Sequence, residues 1–268
     1  MTSSFPSCSF KLWFRDDYHC PFPSRLKGVC IFHLTKLTKD EKDKLPAHEF
    51  TATQQIEEEF DLALNELLEK ASADSSKEEI DLRGFCFSAI NWKGKEFVKK
   101  LNFHAAVFKQ ETNFDKAIFH KDVDFHSVKF IDHVSCYQTR FEGKAYFGAV
   151  TFNGSATFYD ATFEGEATFL SEFRRIAWFQ DARFNQRANF LQARFQDQAI
   201  FPQANFQAEA WFLEAVFMNV ANFIEASFAQ NAVFSISFFE GIATFAGASF
   251  DSKVSFRNAS FSKEGNFR

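Results

Sequence analysis

No apolar run in this sequence approaches the roughly 18 residues that a membrane-spanning helix needs, although 46% of its 268 residues are hydrophobic and 41 are Phe. The opening Met1-Thr2-Ser3-Ser4-Phe5-Pro6 lacks a basic stretch followed by an apolar one, so no signal peptide is expected. Five cysteines, an odd number, do not suggest a disulfide framework, and a cytoplasmic protein is the plain expectation. No nucleophile–base pair, glycine-rich phosphate loop or carboxylate pair emerges, which predicts a chain without enzymatic activity. Basic residues are missing altogether between Arg194 and Lys253, where Asp197, Glu209, Glu214, Glu225, Glu240 and Asp251 stand.

The net charge of −5 is carried by the segment 1–79, where ten Lys/Arg stand against fifteen Asp/Glu; the segment 80–268 holds twenty of each. Within that neutral remainder the first part is rich in lysine, with Lys93, Lys95, Lys99, Lys100, Lys109, Lys116, Lys121 and Lys129. An acidic balance of this kind makes direct nucleic-acid binding a poor expectation.

What the sequence has in excess is phenylalanine at a fixed beat. From Phe179 to Phe267 the spacings alternate five and six, so the true period is eleven. A fixed period marks a solenoid. Two positions before nearly every Phe stands a small apolar residue, as at Ala188, Ala193, Ala199, Ala204 and Ala210. Residues i−2 and i share one side only where side chains alternate, which is the strand period. On an α-helix, Ala204, Phe206, Ala210 and Phe212 scatter around the axis at about 100° per residue, so a helix is excluded.

Each A-x-F is therefore a short extended side, with Ala and Phe inward and the middle residue outward. Alternating side lengths require an even number of sides. Four sides give a coil of two such periods; a flattened two-sided coil of one period is the alternative. Short and long corners alternate between the sides. Glycine at the middle of the longer corners, at Gly143, Gly154, Gly165 and Gly241, is expected to supply positive φ. The same beat runs back to Phe103, with Cys136 in one Phe slot as a smaller core residue, and is broken once, where the step from Phe169 to Phe173 falls to four. A binding face or bend and a tolerated deletion explain that break equally well.

Between Ile80 and Gly94 the chain steps in strict fives, Ile80-Asp81-Leu82-Arg83-Gly84 and Ile90-Asn91-Trp92-Lys93-Gly94 among them. This resembles the pentapeptide-repeat family, whose pattern is A-(D/N)-L-x-x, and Ala188-Asn189-Phe190 and Ala204-Asn205-Phe206 restate it with Phe for Leu. The resemblance covers residues 80–268. It implies an all-β solenoid, a right-handed quadrilateral β-helix.

Two segments precede the repeat. Residues 46–79 read as a capping helix and linker. Thr51 with Gln54 fits a capping box, and Ile56, Phe60, Ala63, Leu64, Leu67 and Leu68 form an apolar stripe. A solenoid leaves an open strand edge, so this amphipathic helix is expected to lie over the first coil as its N-terminal cap. Residues 1–45 form a small irregular segment rich in Cys and aromatics. Cys30 and His33 have the C-x-x-H spacing of a metal knuckle, and Cys20 with His19 or Cys8 could complete a zinc site; simple packing of a small hairpin is the alternative.

Large apolar residues at outward slots mark candidate partner contacts: Tyr146, Trp178, Ile200, Trp211 and Val233. With a four-sided coil, Tyr146, Trp211 and Val233 share one face, and Trp178 and Ile200 another. His104 and His126 are one such coil apart and should stack outward, as a metal pair or as plain surface residues. The functional expectation is a non-enzymatic protein-interaction scaffold whose protein partner the sequence does not name. The C-terminal coil, which has no capping helix, suggests a homodimer. The resemblance implies one alternative, a DNA-mimicking modulator of DNA gyrase, for which the acidic stretch after Arg194 speaks and the lysine-rich beginning does not.

Overall fold

The computed structural model describes residues 47–268, with side chains from Phe60 onward. Among the described residues one helix, Ala47–Ala73, precedes 35 short strands, most of them a single dipeptide. The strands build four parallel sheets of nine, nine, nine and eight strands, each strand paired with those one coil before and after it. The chain thus visits four faces in turn, from face 1 (beginning at Glu79–Asp81) through face 2 (Cys86–Phe87) and face 3 (Ile90–Asn91) to face 4 (Glu96–Phe97). This is the four-sided β-helix that the repeat implies.

The register gives the coil length. Ala188 pairs with Ala210 and Phe195 with Phe217, so a coil takes up two full periods of the repeat. The coil is one position shorter where the repeat steps in fives, Cys86 pairing with Val107, and again across the shortened step, where Phe152 pairs with Phe173.

Inside the tube the rings form four columns. Phe179, Phe201, Phe223 and Phe245 stack at centroid separations of 4.7–4.9 Å with planes within 7° of parallel. Columns that meet across a long corner do so edge-on, as Phe206 does with Phe212 at 80°, and those that meet across a short corner are tilted, as Phe212 is to Phe217 at 40°. Ring stacking therefore repeats at the spacing of the β-ladder, and the edge contacts between columns are the favourable T-shaped geometry for aromatic pairs. Each ring is fully buried through the middle of the tube, and the alanines two positions earlier are buried beside them.

The corners differ from expectation. Positive φ falls in the short corners, not the long ones. Thirteen non-glycine residues among those described have φ of 52–58°, including Lys116, Gln138, Asp160, Gln203 and Ile236, all two positions after an inward ring or its substitute. All of these corners but the one at Ala149 close with an i→i+3 hydrogen bond, as from Ala182 N–H to Phe179 O at 3.2 Å, and positive φ at the third residue is the type II turn requirement. Gly143, Gly154, Gly165 and Gly241 do not have positive φ. They are glycine because the previous coil is too close: a Cβ on Gly143 meets Asp122 N at 2.4 Å, and one on Gly241 meets Asn219 O at 2.1 Å.

The shortened step lies at Leu170-Ser171. One corner residue is missing, and Ser171 N–H donates to Phe169 O at 2.9 Å, a tighter turn of the γ type. Ser171 occupies the alanine slot and its hydroxyl donates to Phe147 O inside the tube. The stack passes through unbroken, with Phe173 stacked between Phe152 and Phe195.

The helix begins at Ala47, ahead of the Thr51 start that the capping box predicts. Phe60, Leu64 and Leu68 are buried in the same core as the rings, and Phe60 meets Phe87 of the first coil edge-on at 6.0 Å. Lys99 fastens the helix end by donating to the carbonyls of Asp74 and Lys77. At the other end, Phe267 is stacked on Phe245 but 53% exposed.

Candidate interaction faces

The outward slot has a structural use that explains the Asn and Asp of the repeat. On faces 1 and 3, the side chains of Asp81, Asn91, Asn102, Asn113, Asp124, Asn189 and Asn222 each accept the backbone N–H two positions later, at 2.7–3.3 Å. That N–H sits in the short corner, where Asx capping is well suited. Faces 2 and 4 lead into long corners instead, and there Asn205 accepts from the Gln207 side chain.

The five outward residues singled out from sequence all occupy these capping slots. Tyr146 pairs with Thr168, and Trp211 lies between Asn189 and Val233, all on face 1. Trp178 pairs with Ile200 on face 3. The chain visits the faces in order, so faces 1 and 3 are opposite sides of the tube. Tyr146, Trp211 and Val233 cannot share a flat contact with Trp178.

Exposure separates them further. Tyr146 is 40% exposed and Trp178 36%. Ile200 is only 7% exposed, which removes it as a contact residue; within a ladder its flanks are covered by Trp178 and Asn222 at strand spacing. Trp211 and Val233 are half-buried. The Arg187 guanidinium lies 4.5 Å from the Trp211 ring centroid and also meets Glu209 at 3.3 Å. Arg187 belongs to a corner row between faces 4 and 1 whose charges alternate in successive coils: Lys100, Asp122, Lys144, Glu166, Arg187 and Glu209. Lys144 meets Glu166 at 3.0 Å within it. Beside this row, Lys100, Asp124, Lys144, Tyr146 and Glu166 line a cavity of about 370 Å³.

His104 and His126 do lie one above the other, with centroids 4.8 Å apart and planes tilted by 43°, and the Tyr146 ring stacks on His126 at 5.5 Å. The Tyr146 ring fills the space that a Cβ on Gly148 needs, at 2.6 Å. Burial, and then the neighbouring His126, hold His104 below its ordinary value. The Nδ1 of His126 is buried without a hydrogen-bond partner. Two imidazoles alone make a poor metal cage, and among the described residues no group of three or more His, Cys, Asp or Glu could hold a metal ion. Cys20, Cys30 and His33, with Cys8 and His19, lie outside the described residues. Cys136 is buried in its Phe slot, and that burial pushes its thiol far above the ordinary value.

An apolar cluster escapes the sequence reading. Phe238 projects outward from face 2, directly over Val216 of the preceding coil. On the corners either side lie Ile236, Met218 and Ile242, and these three with Phe238 are 40–52% exposed. The Phe238-Phe239 doublet was the available signal, because only one of two adjacent residues on a strand can point inward. The acidic residues after Arg194 form no continuous row. Glu209 and Asp251 lie at the corner between faces 4 and 1, Glu214 at that between 1 and 2, Asp197 and Glu240 between 2 and 3, and Glu225 between 3 and 4.

The family description for pentapeptide repeats (9 copies) matches residues 137–170 and 171–216. No curated protein and no solved structure matches the chain. The matched stretch holds the shortened step at its centre, and the same four-sided coil, with the same capped corners and stacked rings, continues on both sides of it. Over residues 137–216 the chain is similar to the pentapeptide-repeat family.

Proposed function

We propose that this protein is a cytoplasmic, non-enzymatic interaction scaffold, a rigid tube presenting outward side chains to a protein partner. The observation that carries the reading is the use of the capping slot. Where Asn or Asp there closes a corner, Trp178 and Trp211 offer no acceptor and present an aromatic ring instead. A side chain that forgoes a local hydrogen bond while exposing apolar surface is best accounted for by a contact made elsewhere. Affinity purification with the wild type and with Trp178→Asn and Trp211→Asn tests this, since Asn restores the cap at each site. An unchanged partner list for both variants refutes the role of these faces.

The DNA-mimic alternative gains no support from the placement of the carboxylates, which are spread over all four corners. A second copy remains part of the proposal, on the exposed apolar surface of Val254 and Phe267. A single monomeric species in sedimentation at tens of micromolar protein would remove it. No helix among the described residues is long and apolar enough to cross a membrane.

A further inference from the structure

We propose that the imidazole row of His104 and His126 is an acid-sensitive seam: charging it loosens the short corners that join the first coils, while the later coils stay closed. This goes beyond the scaffold reading and does not depend on it.

The row is built by register. Asp81, Asn102 and Asp124 are ladder partners on face 1, so the residues two positions on, Arg83, His104 and His126, follow one another along the corner between faces 1 and 2. The backbone links coil to coil at the same place. Gly84 N–H donates to His104 O at 3.0 Å, Ala105 N–H to His126 O at 2.9 Å and Ser127 N–H to Gly148 O at 2.8 Å. Ala105 and Ser127 stand there at φ 58° and 57°, a conformation that is unfavourable for any residue with a Cβ. Such corners persist because the row around them holds them in place.

A proton on this row is poorly accommodated. The two ring centroids are 4.8 Å apart, so charging both rings sets like charges against each other. Arg83, which precedes His104 in the row, adds a third cation, and its guanidinium already engages Asp81 at 2.6 Å. On the far side Tyr146 covers His126 with an uncharged ring at 5.5 Å. A charged imidazole carries an N–H on both nitrogens, and the one at the buried His126 Nδ1 finds no acceptor. Among the groups acting on His104, Asp124 works in the opposite sense; its Oδ1 accepts the His126 backbone N–H at 2.7 Å. Towards face 2 the corners continue into Ala105, Ser127 and Ala149, which carry no charge.

The sign of the response follows. His104 lies below its ordinary value, through burial first and His126 second. Stabilisation from a lowered histidine is complete above the unfolded value of about 6.5 and is lost as pH falls through the folded one. His120, at the corner between faces 4 and 1, is raised by its carboxylate partners and has the opposite sign, so variants must separate the two.

The test is hydrogen exchange on the whole chain, read as amide protection factors at about pH 7 and about pH 5, where histidine titrates. In the wild type, protection at Gly84, Ala105 and Ser127 should fall about tenfold or more in acid, as local opening becomes easier. Protection at Gln192 and Glu214, in the same corner of later coils, should not fall with it. His104→Leu/His126→Leu should abolish the fall, and His120→Gln should keep it. Leu is chosen because Leu191 and Leu213 follow one another in this same slot. Constant protection in the wild type, a fall that persists in the double variant, or a fall shared by all coils overturns the proposal. If the double variant is destabilised at neutral pH, His126→Gln gives the reading instead. Its Ala105 protection should respond to acid less than that of the wild type, and an equal response overturns the seam.

Discussion

Asn189 and Trp211 occupy the same outward slot in consecutive coils, and of the two only Asn189 caps the turn that follows it. Its side-chain oxygen accepts the Leu191 N–H at 3.0 Å, whereas the indole of Trp211 can only donate. The short corner after Trp211 therefore stands without that bond. Replacing Trp211 with Asn restores it and loses the Arg187 cation–π contact; replacing it with Ala loses the contact and restores nothing. Trp211→Asn should be more stable than Trp211→Ala by about 1 kcal/mol, the usual worth of such a cap. Urea denaturation of the two variants measures the difference, and equal midpoints would show that the corner needs no cap.

The long-corner glycines, Gly143, Gly154, Gly165 and Gly241, and the positive-φ positions are different places, so substitutions at them should have opposite signs. Ile236 is β-branched, held at φ 58° and 40% exposed. A left-handed residue with a Cβ costs about 1–2 kcal/mol, and glycine's greater unfolded-state freedom returns roughly 0.5–1 kcal/mol of this. Ile236→Gly should raise the melting temperature modestly. Gly241→Ala should lower it, because its Cβ has to displace the Asn219 backbone, at about 1–3 kcal/mol. A melt of each variant separates the two causes.

His120 joins three coils, with Nδ1 2.8 Å from Glu142 and Nε2 3.2 Å from Glu96. Hydrogen bonds to those two carboxylates, Glu142 first, raise its pKa above the ordinary value. Stabilisation from a raised histidine is complete below the unfolded value of about 6.5 and is lost as pH rises through the folded one. The wild type should therefore lose stability relative to His120→Gln between about pH 6 and pH 8. The effect is small because the side chains are partly solvated. Denaturation midpoints that stay parallel across that window would mean the triad contributes nothing.

The fold was legible because its cause is periodic. A ring at every fifth or sixth position can be buried only by a coil, and the alanine two positions earlier identifies the strand. Faces followed from the doubled period, which placed Tyr146, Trp211 and Val233 on one side and Trp178 on another. What remained hidden depends on distances between coils. Ile200 reads as outward and is outward, but its burial comes from neighbours a full coil away. Gly143 reads as a turn residue, while the reason for it is the backbone of Asp122 behind it. Ile236, Met218 and Ile242 belong to corners without a fixed apolar slot, so no period gathers them; only the register of Val216 with Phe238 does.

The rings in the middle of the tube and those at its last coil should differ in worth, because each ring is held mainly by the one above and the one below. Phe206 is stacked on Phe184 at 4.8 Å and on Phe228 at 4.7 Å, both nearly parallel, and meets Phe212 edge-on. Truncation there leaves a void with rings on both sides, and Phe206→Ala should cost about 3–5 kcal/mol. Phe261 has a stacked partner in Phe239 at 4.6 Å and is itself half-buried. In a linear array with nearest-neighbour coupling, Phe261→Ala should loosen only the last coil. Gln207, next to Phe206 but outward and exposed, should change stability by no more than about 0.5 kcal/mol on replacement by Ala. Hydrogen exchange followed coil by coil distinguishes the three variants. Phe206→Ala should speed exchange on both sides of its coil, Phe261→Ala only at the end, and Gln207→Ala nowhere. Global loss from Phe261→Ala would mean the tube melts as one cooperative unit, with coupling far beyond adjacent coils.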